Sequence, residues 1–155
     1  CASAGAAEGV HVDASKGMVN WAKENMMLSH LENHKIRFIV DDVLKFVARE
    51  KRRGRTYHAI IMDPPSYGRG PNGEIWKIEE QLYPLISACM EILDDDPLFF
   101  LVNSYTTGLA PAVLTYMLST ELKRFGGHVD SQEIGLPVTK TGLVLPCGAS
   151  GRWEK

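Results

Sequence analysis

The residues best suited to chemistry lie in the stretch Asp63-Pro64-Pro65-Ser66-Tyr67-Gly68-Arg69-Gly70-Pro71-Asn72-Gly73. It directly follows an apolar run, Tyr57-His58-Ala59-Ile60-Ile61-Met62, that reads as a buried strand. An acid at a strand end, then two prolines, then an aromatic among glycines, is more than a turn requires. The prolines fix φ and remove two backbone donors, so the loop is stiff. Such a loop suits a site that holds a flat, polar group beside a reactive cofactor.

Other apolar runs end in the same manner. Val10-His11-Val12 ends at Asp13, Ile36-Arg37-Phe38-Ile39-Val40 at Asp41 and Asp42, and Leu98-Phe99-Phe100-Leu101-Val102 at Asn103 and Ser104. In open α/β sheets, ligands sit at the carboxyl ends of the strands, which puts all of these residues on one edge. A single acid at a strand end is ordinarily a helix cap. The repetition of the pattern points to a shared site.

The elements that must position these groups alternate. Ser15 can cap a helix running to about Leu31, with Met18, Val19, Ala22, Met26 and Met27 on one side. Asp41 or Asp42 opens a second helix through Val43, Phe46 and Val47, and Gly54 stops it. A third helix is expected from about Ile75 to Leu93, facing inward with Leu82, Leu85, Ile86, Cys89 and Ile92, with a kink or break open at Pro84. Asn103-Ser104-Tyr105-Thr106-Thr107-Gly108 reads as a polar loop, followed by a helix from about Ala110 to Phe125 that stops at Gly126-Gly127. Two closing strands, near Val129–Leu136 and Gly142–Pro146, read as a hairpin joined through Pro137-Val138-Thr139-Lys140. Alternating strands and helices give a mostly parallel sheet covered on both faces. The closing pair has no helix between its strands, so one of them runs antiparallel.

The 155 residues fit one domain with a real core. The apolar share of 45% and charged share of 23% are ordinary, and a net charge of −2 gives no global pull toward nucleic acid. The one dense basic patch is Lys51-Arg52-Arg53-Gly54-Arg55. It reads as a solvated helix end with favourably placed cations, an RNA contact being the alternative. Cys1, Cys89 and Cys147 are odd in number and widely spaced, so neither a metal site nor a disulfide framework is expected, and a reducing cytosol fits. No apolar run approaches the ~20 residues that span a membrane. The small-residue opening Cys1-Ala2-Ser3-Ala4-Gly5-Ala6-Ala7 resembles the last turns of a helix capped near Gly5, and with no initiating methionine the chain is expected to be a fragment.

The whole pattern resembles the class I S-adenosylmethionine-dependent methyltransferases, and more narrowly the bacterial 23S ribosomal RNA methyltransferases of the cytosine-C5 type. Its most specific element is Asp63-Pro64-Pro65-Ser66-Tyr67-Gly68-Arg69-Gly70 with Gly73-Glu74-Ile75-Trp76 after it. The resemblance covers nearly the whole chain. It implies a Rossmann-like fold: a mostly parallel seven-stranded sheet, antiparallel at its last strand and here without its first. Residues 1–155 would then be one catalytic domain, incomplete at the N-terminus, that uses S-adenosyl-L-methionine on an RNA base in the cytoplasm.

The resemblance also implies residue roles. Asp13 would accept from the cofactor's ribose hydroxyls, with Ala14 lining the adenine. Asp42 would accept from the adenine amino group and the Val43 amide would donate to the ring, Asp41 being the competing assignment. Asp63 would lie near the methionine moiety. Pro64, Pro65 and Tyr67 would face the substrate base, with Tyr67 as a stacking platform or, alternatively, a packed loop aromatic. Arg69, Asn103 and Ser104 are further candidates for substrate contact, and a solvated loop arginine is the other reading of Arg69. Gly68, Gly70 and Gly73 would let the loop approach a ligand or move as a lid.

Two departures bear on the chemistry. The glycine-rich loop after the first strand is missing, so this fragment is expected to bind the cofactor weakly or not at all. Cytosine-C5 transfer also needs a cysteine to attack the base, which in the RNA enzymes it resembles follows the fifth strand, yet Val102-Asn103-Ser104-Tyr105 carries no thiol. Cys89 reads as core, and Cys147 is expected just after the last strand, too far round the sheet. Amino N-methylation is the substitute, although Ser66 stands where that pattern places its aromatic. The acceptor atom stays open between the two. A small-molecule or protein methyltransferase, an NAD-binding oxidoreductase and a non-catalytic nucleotide-binding module are the rival readings. The oxidoreductase explains neither Asp63-Pro64-Pro65 nor the closing hairpin.

Overall fold

The computed structural model describes residues 1–70 and 73–155; Pro71 and Asn72 of the proline-glycine loop lie outside the described residues. The elements are β1 (Gly9–Asp13), α1 (Lys16–Leu28), β2 (Ile36–Val40), α2 (Val43–Arg52), β3 (Ala59–Met62), β4 (Tyr67–Arg69), β5 (Ile75–Lys77), α3 (Ile78–Cys89), β6 (Phe99–Ser104), α4 (Pro111–Glu121), β7 (His128–Val138) and β8 (Leu143–Glu154). They fall into two compact units, Cys1–Arg49 and Glu50–Lys155.

In the first unit β1 and β2 pair in parallel, with Asp13 opposite Val40. Ser15 caps α1, its hydroxyl accepting from the Met18 amide. Val19 is buried, whereas Met18 and Met27 are exposed, which corrects the broader apolar face expected for this helix. At 3.6 residues per turn, Val19, Ala22 and Met26 share a narrow stripe that Met18 and Met27 only flank. At the start of the chain, the expected cap at Gly5 is present: the residue takes φ +94° and its amide donates to the Ala2 carbonyl.

The second unit is built on a four-stranded sheet in the order β3-β6-β8-β7. β3 and β6 are parallel, and β8 runs antiparallel to both β6 and β7. The antiparallel last strand therefore stands as expected, wedged between two strands that precede it. Among the described residues β1-β2, β3-β6-β8-β7 and β4-β5 form three separate sheets.

β6 alternates cleanly, with Phe100, Val102 and Ser104 fully buried. Leu114 and Leu118 of α4 are also fully buried, and α4 packs against β7 and β8. Gly151 of β8 has no room for a side chain, since a Cβ would meet the Leu114 Cβ at 2.7 Å. Trp153 is buried and its indole N–H donates to the Gly126 carbonyl at 2.7 Å.

Several boundaries differ from the sequence expectation. α1, α3 and α4 end three to four residues early, and Pro137 and Val138 belong to β7 rather than to the hairpin connection. Three further differences bear on the site. Ile75-Trp76-Lys77 do not open the third helix; they form β5, which pairs antiparallel with β4. Asn103 and Ser104 belong to β6 rather than to a loop, because both pair with β8 at Ser150 and Ala149. β8 continues well past Pro146, to Glu154. Pro84 neither breaks nor ends α3, which runs through it.

Candidate functional site

Each strand-end acid has a defined local role. In the first unit, Asp13 Oδ1 accepts from the Ser15 amide at 2.7 Å, and the Asp13 carbonyl accepts from the Asp41 amide at 3.1 Å. Asp41 is an internal brace: one oxygen accepts from the Asp42 amide at 2.9 Å and the other pairs with Arg49 at 2.5 Å. Asp42 is exposed, and its Oδ1 accepts from the Lys45 amide at 2.9 Å as the cap of α2. Of the two candidates, Asp41 is thus engaged on both oxygens and Asp42 on one. The Val43 amide is a first-turn donor with no acceptor among the described residues, as helix starts leave it. Ala14, between Asp13 and the cap Ser15, is exposed.

In the second unit, the Asp63-Pro64-Pro65-Ser66 loop is pinned at three points. The Trp76 indole N–H donates to the Pro65 carbonyl at 2.6 Å. The Ile78 amide donates to the Ser66 carbonyl at 3.1 Å. The Ser66 and Thr106 hydroxyls share a hydrogen bond of 2.7 Å, which ties the loop to the chain following β6. These contacts leave the Asp63 carboxyl and the Pro64 carbonyl without a partner among the described residues. Desolvation by the surrounding protein raises the Asp63 pKa above its ordinary value.

Tyr67 and Arg69 lie two residues apart on β4 and so share a face. Tyr67 is 52% exposed, and its hydroxyl accepts from Arg69 Nε at 3.0 Å. The glycines around them serve a hairpin rather than an open lid: Gly73 takes φ +88° at its turn and its amide donates to the Gly70 carbonyl at 3.1 Å.

The other substrate-contact candidates are placed less favourably. Ser104 is fully buried and its hydroxyl accepts from the Thr106 amide at 3.2 Å. The Asn103 amide oxygen accepts from the Ser150 hydroxyl at 2.8 Å. Both are spent on structure near the site. The basic patch is likewise engaged: Lys51 pairs with Glu91 at 2.6 Å and Arg53 with the buried Glu50 at 2.9 Å. That is the solvated, charge-paired helix end.

The thiols separate sharply. Cys89 is buried in the core, and burial pushes its thiol up to about 12. Cys147 corrects the expectation. It lies within β8 at a bulge, where the register shifts between Ile134 and Gly135, and its thiol donates to the Ile134 carbonyl at 3.4 Å. Together with Tyr105 and Thr106 it lines a groove of about 380 Å³. It is therefore beside the chain that follows β6, not remote from it.

No family model matches the chain. It is similar to a solved structure of a SAM-dependent methyltransferase from Agrobacterium tumefaciens, with a TM-score of 0.90 and 39% identity over 99% of this chain and 50% of that one. The fold is that of the S-adenosylmethionine-dependent methyltransferases. Among curated proteins, ribosomal RNA large subunit methyltransferase K of Neisseria meningitidis is 28% identical over 66% of this chain and 29% of its own length. Ribosomal RNA large subunit methyltransferase I of Tolumonas auensis is 33% identical over 62% of this chain and 21% of its own length. The chain thus spans a third or less of these curated relatives. In a methyltransferase fold, as in other open α/β sheets, the carboxyl ends of the strands face the ligand. Asp13 ends β1 and Asp42 follows β2 in the first unit, and Asp63 follows β3 in the second.

Trp76 and Thr106, which hold the loop, were missed in the sequence. A signal for the first existed: Tyr67-Gly68-Arg69 and Ile75-Trp76-Lys77 flank a glycine- and proline-rich turn, the pattern of a hairpin. The Ser66–Thr106 contact joins residues 40 apart in sequence and carries no local signal.

Proposed function

We propose that residues 1–155 are part of the catalytic domain of an S-adenosylmethionine-dependent methyltransferase that methylates a base in ribosomal RNA in the cytoplasm. The observation that carries this reading is the loop after β3. It is rigidly held, yet it keeps two acceptors unpaired, the Asp63 carboxyl and the Pro64 carbonyl. Acceptors with no protein partner on a stiff loop at a strand end are open to a ligand donor in place of water. Both curated relatives reported above are ribosomal RNA methyltransferases, which favours RNA over a small molecule or protein.

The residues of the first unit fit the cofactor. Asp13 uses only Oδ1 internally, which leaves Oδ2 for a ribose hydroxyl. Asp42 is exposed and keeps one oxygen beyond its cap, and the adjacent Val43 amide supplies a donor for a ring nitrogen. Ala14 adds a small side chain that does not obstruct a flat ring. When bound, the cofactor supplies an electrophilic methyl group on a sulfonium.

The rest of the work falls to the second unit. Asp63 and the Pro64 carbonyl accept N–H bonds from an exocyclic amine, which orients its lone pair without any covalent intermediate. Pro65, its own carbonyl held by Trp76, fixes the wall of the loop. Tyr67 offers an exposed ring for stacking, and Arg69, held at its hydroxyl, brings a cation for a phosphate. Asn103 and Ser104 act behind the site as supports. An amine acceptor needs no thiolate, and Cys89 cannot provide one.

Calorimetry of the intact protein with S-adenosylmethionine and with NAD tests the reading, followed by transfer of labelled methyl groups to large-subunit RNA. Cofactor binding and transfer to RNA are expected. Tight binding of NAD with none of S-adenosylmethionine would overturn it.

A further inference from the structure

The groove beside Cys147 is unused by the chemistry above. Its walls are Tyr105 and Thr106 after β6, Glu133 on β7, and Pro146, Cys147 and Gly148 on β8. Tyr105 is 56% exposed. Among the described residues, neither the Glu133 carboxylate nor the Tyr105 hydroxyl has a hydrogen-bond partner. Gly148 sets the depth of the groove, since no side chain would fit there against the Ser104 carbonyl. The hydrogen bond between Ser66 and Thr106 joins this wall directly to the Asp63 loop.

A carboxylate presents two acceptors side by side. Among the four RNA bases, guanine alone offers two adjacent N–H donors on its Watson–Crick edge. Adenine and cytosine place one amino group beside a ring acceptor. Uracil flanks its single N–H with carbonyl oxygens, which a carboxylate repels. Unstacked RNA bases are read in this way, on their Watson–Crick edges and against an aromatic face.

We propose that this groove is a guanine-reading subsite for the nucleotide adjoining the methyl acceptor, with Glu133 setting the specificity and Tyr105 stacking on the base. The proposal rests on the RNA methyltransferase reading and adds a sequence context to it.

Titration of the intact protein with GMP, AMP, CMP and UMP, followed by NMR, tests it, since the four probes share one phosphate and differ only in the base. S-adenosylmethionine binding is measured in parallel. GMP is expected to bind at least tenfold more tightly than the others. Glu133→Gln, which keeps one acceptor and turns the other into a donor, should abolish that preference by weakening GMP binding, while AMP and CMP, whose edges pair an amino donor with a ring acceptor, should bind as well as before or better. Tyr105→Ala should weaken all four, by about five- to a hundred-fold. Both variants should keep the wild-type cofactor affinity and melting temperature. Equal affinity for the four nucleotides, or a guanine preference that survives Glu133→Gln, overturns the subsite while cofactor binding leaves the methyltransferase reading standing. Selective GMP binding without cofactor binding does the reverse.

Discussion

The Trp76 indole N–H donates to the Pro65 carbonyl at 2.6 Å. One hydrogen bond thereby fastens the β4–β5 hairpin to the Pro-Pro loop and removes one of its two carbonyls from use. The remaining carbonyl, on Pro64, is left for a substrate.

Trp76→Phe deletes that bond and keeps most of the ring. A loss of about 0.5–1.5 kcal/mol in unfolding free energy is expected. The larger effect should fall on kcat, because the loop loses its alignment, with cofactor affinity unchanged. Denaturation curves and steady-state kinetics read both. A variant that weakens cofactor binding as much as turnover would show that the hairpin holds the cofactor instead.

Asp63 carries a folded-state pKa above its ordinary 3.8, caused by desolvation. The fold then binds this proton more tightly than the unfolded chain does. Its contribution to stability is most favourable below 3.8 and declines as pH rises through the folded value. Asp63→Asn should therefore melt at a higher temperature than wild type near neutral pH. The gap should close in acid, where both side chains are neutral. Methyl transfer should be lost throughout. Identical melting at neutral pH would mean that the carboxylate is not penalised by the fold.

Asp13→Ala should weaken S-adenosylmethionine binding by roughly 1.5–3 kcal/mol, the worth of hydrogen bonds to a charged group. The same variant loses the local bond to the Ser15 amide, so Asp13→Asn is the control for helix integrity. Calorimetry on both separates the effects. An unchanged affinity in the alanine variant would reduce Asp13 to a turn residue.

Alkylation separates the three thiols. At mildly alkaline pH, iodoacetamide should label exposed Cys1 and half-buried Cys147 and spare Cys89, which is 3% exposed with its thiol raised to about 12. Peptide mass spectrometry gives the answer. Rapid labelling of Cys89 in the folded protein would contradict the core assignment.

Much of this was legible from the chain because its signals were local. Ser15 capped a helix as its type and position required, and Ile36–Val40 formed a strand with the expected bounds. The acids at the ends of β1 and β3 fell where apolar runs gave way to polar residues. What failed depended on partners distant in sequence. Asn103 and Ser104 look like a loop by composition, yet pairing with Ser150 and Ala149 extends the strand through them. Cys147 follows a proline and precedes a glycine, which suggests an ending; only the register with β7 shows it to be a bulge within a longer strand. Asp41 and Asp42 are interchangeable by spacing, and the ion pair to Arg49 distinguishes them.

The position of β8 has a consequence for how the molecule assembles. It follows β7 in the chain but separates β7 from β6, so those two strands never touch through backbone bonds. β7 and β8 can zip together early, across a short turn. The resulting ribbon must then dock as one piece, with Glu154 finding Phe99 across a long stretch of intervening chain. Such non-local pairing is slow, because loop closure comes before any reward. Until it happens the far side of β6 stays an open edge, a surface to which a neighbouring unfolded chain can add itself.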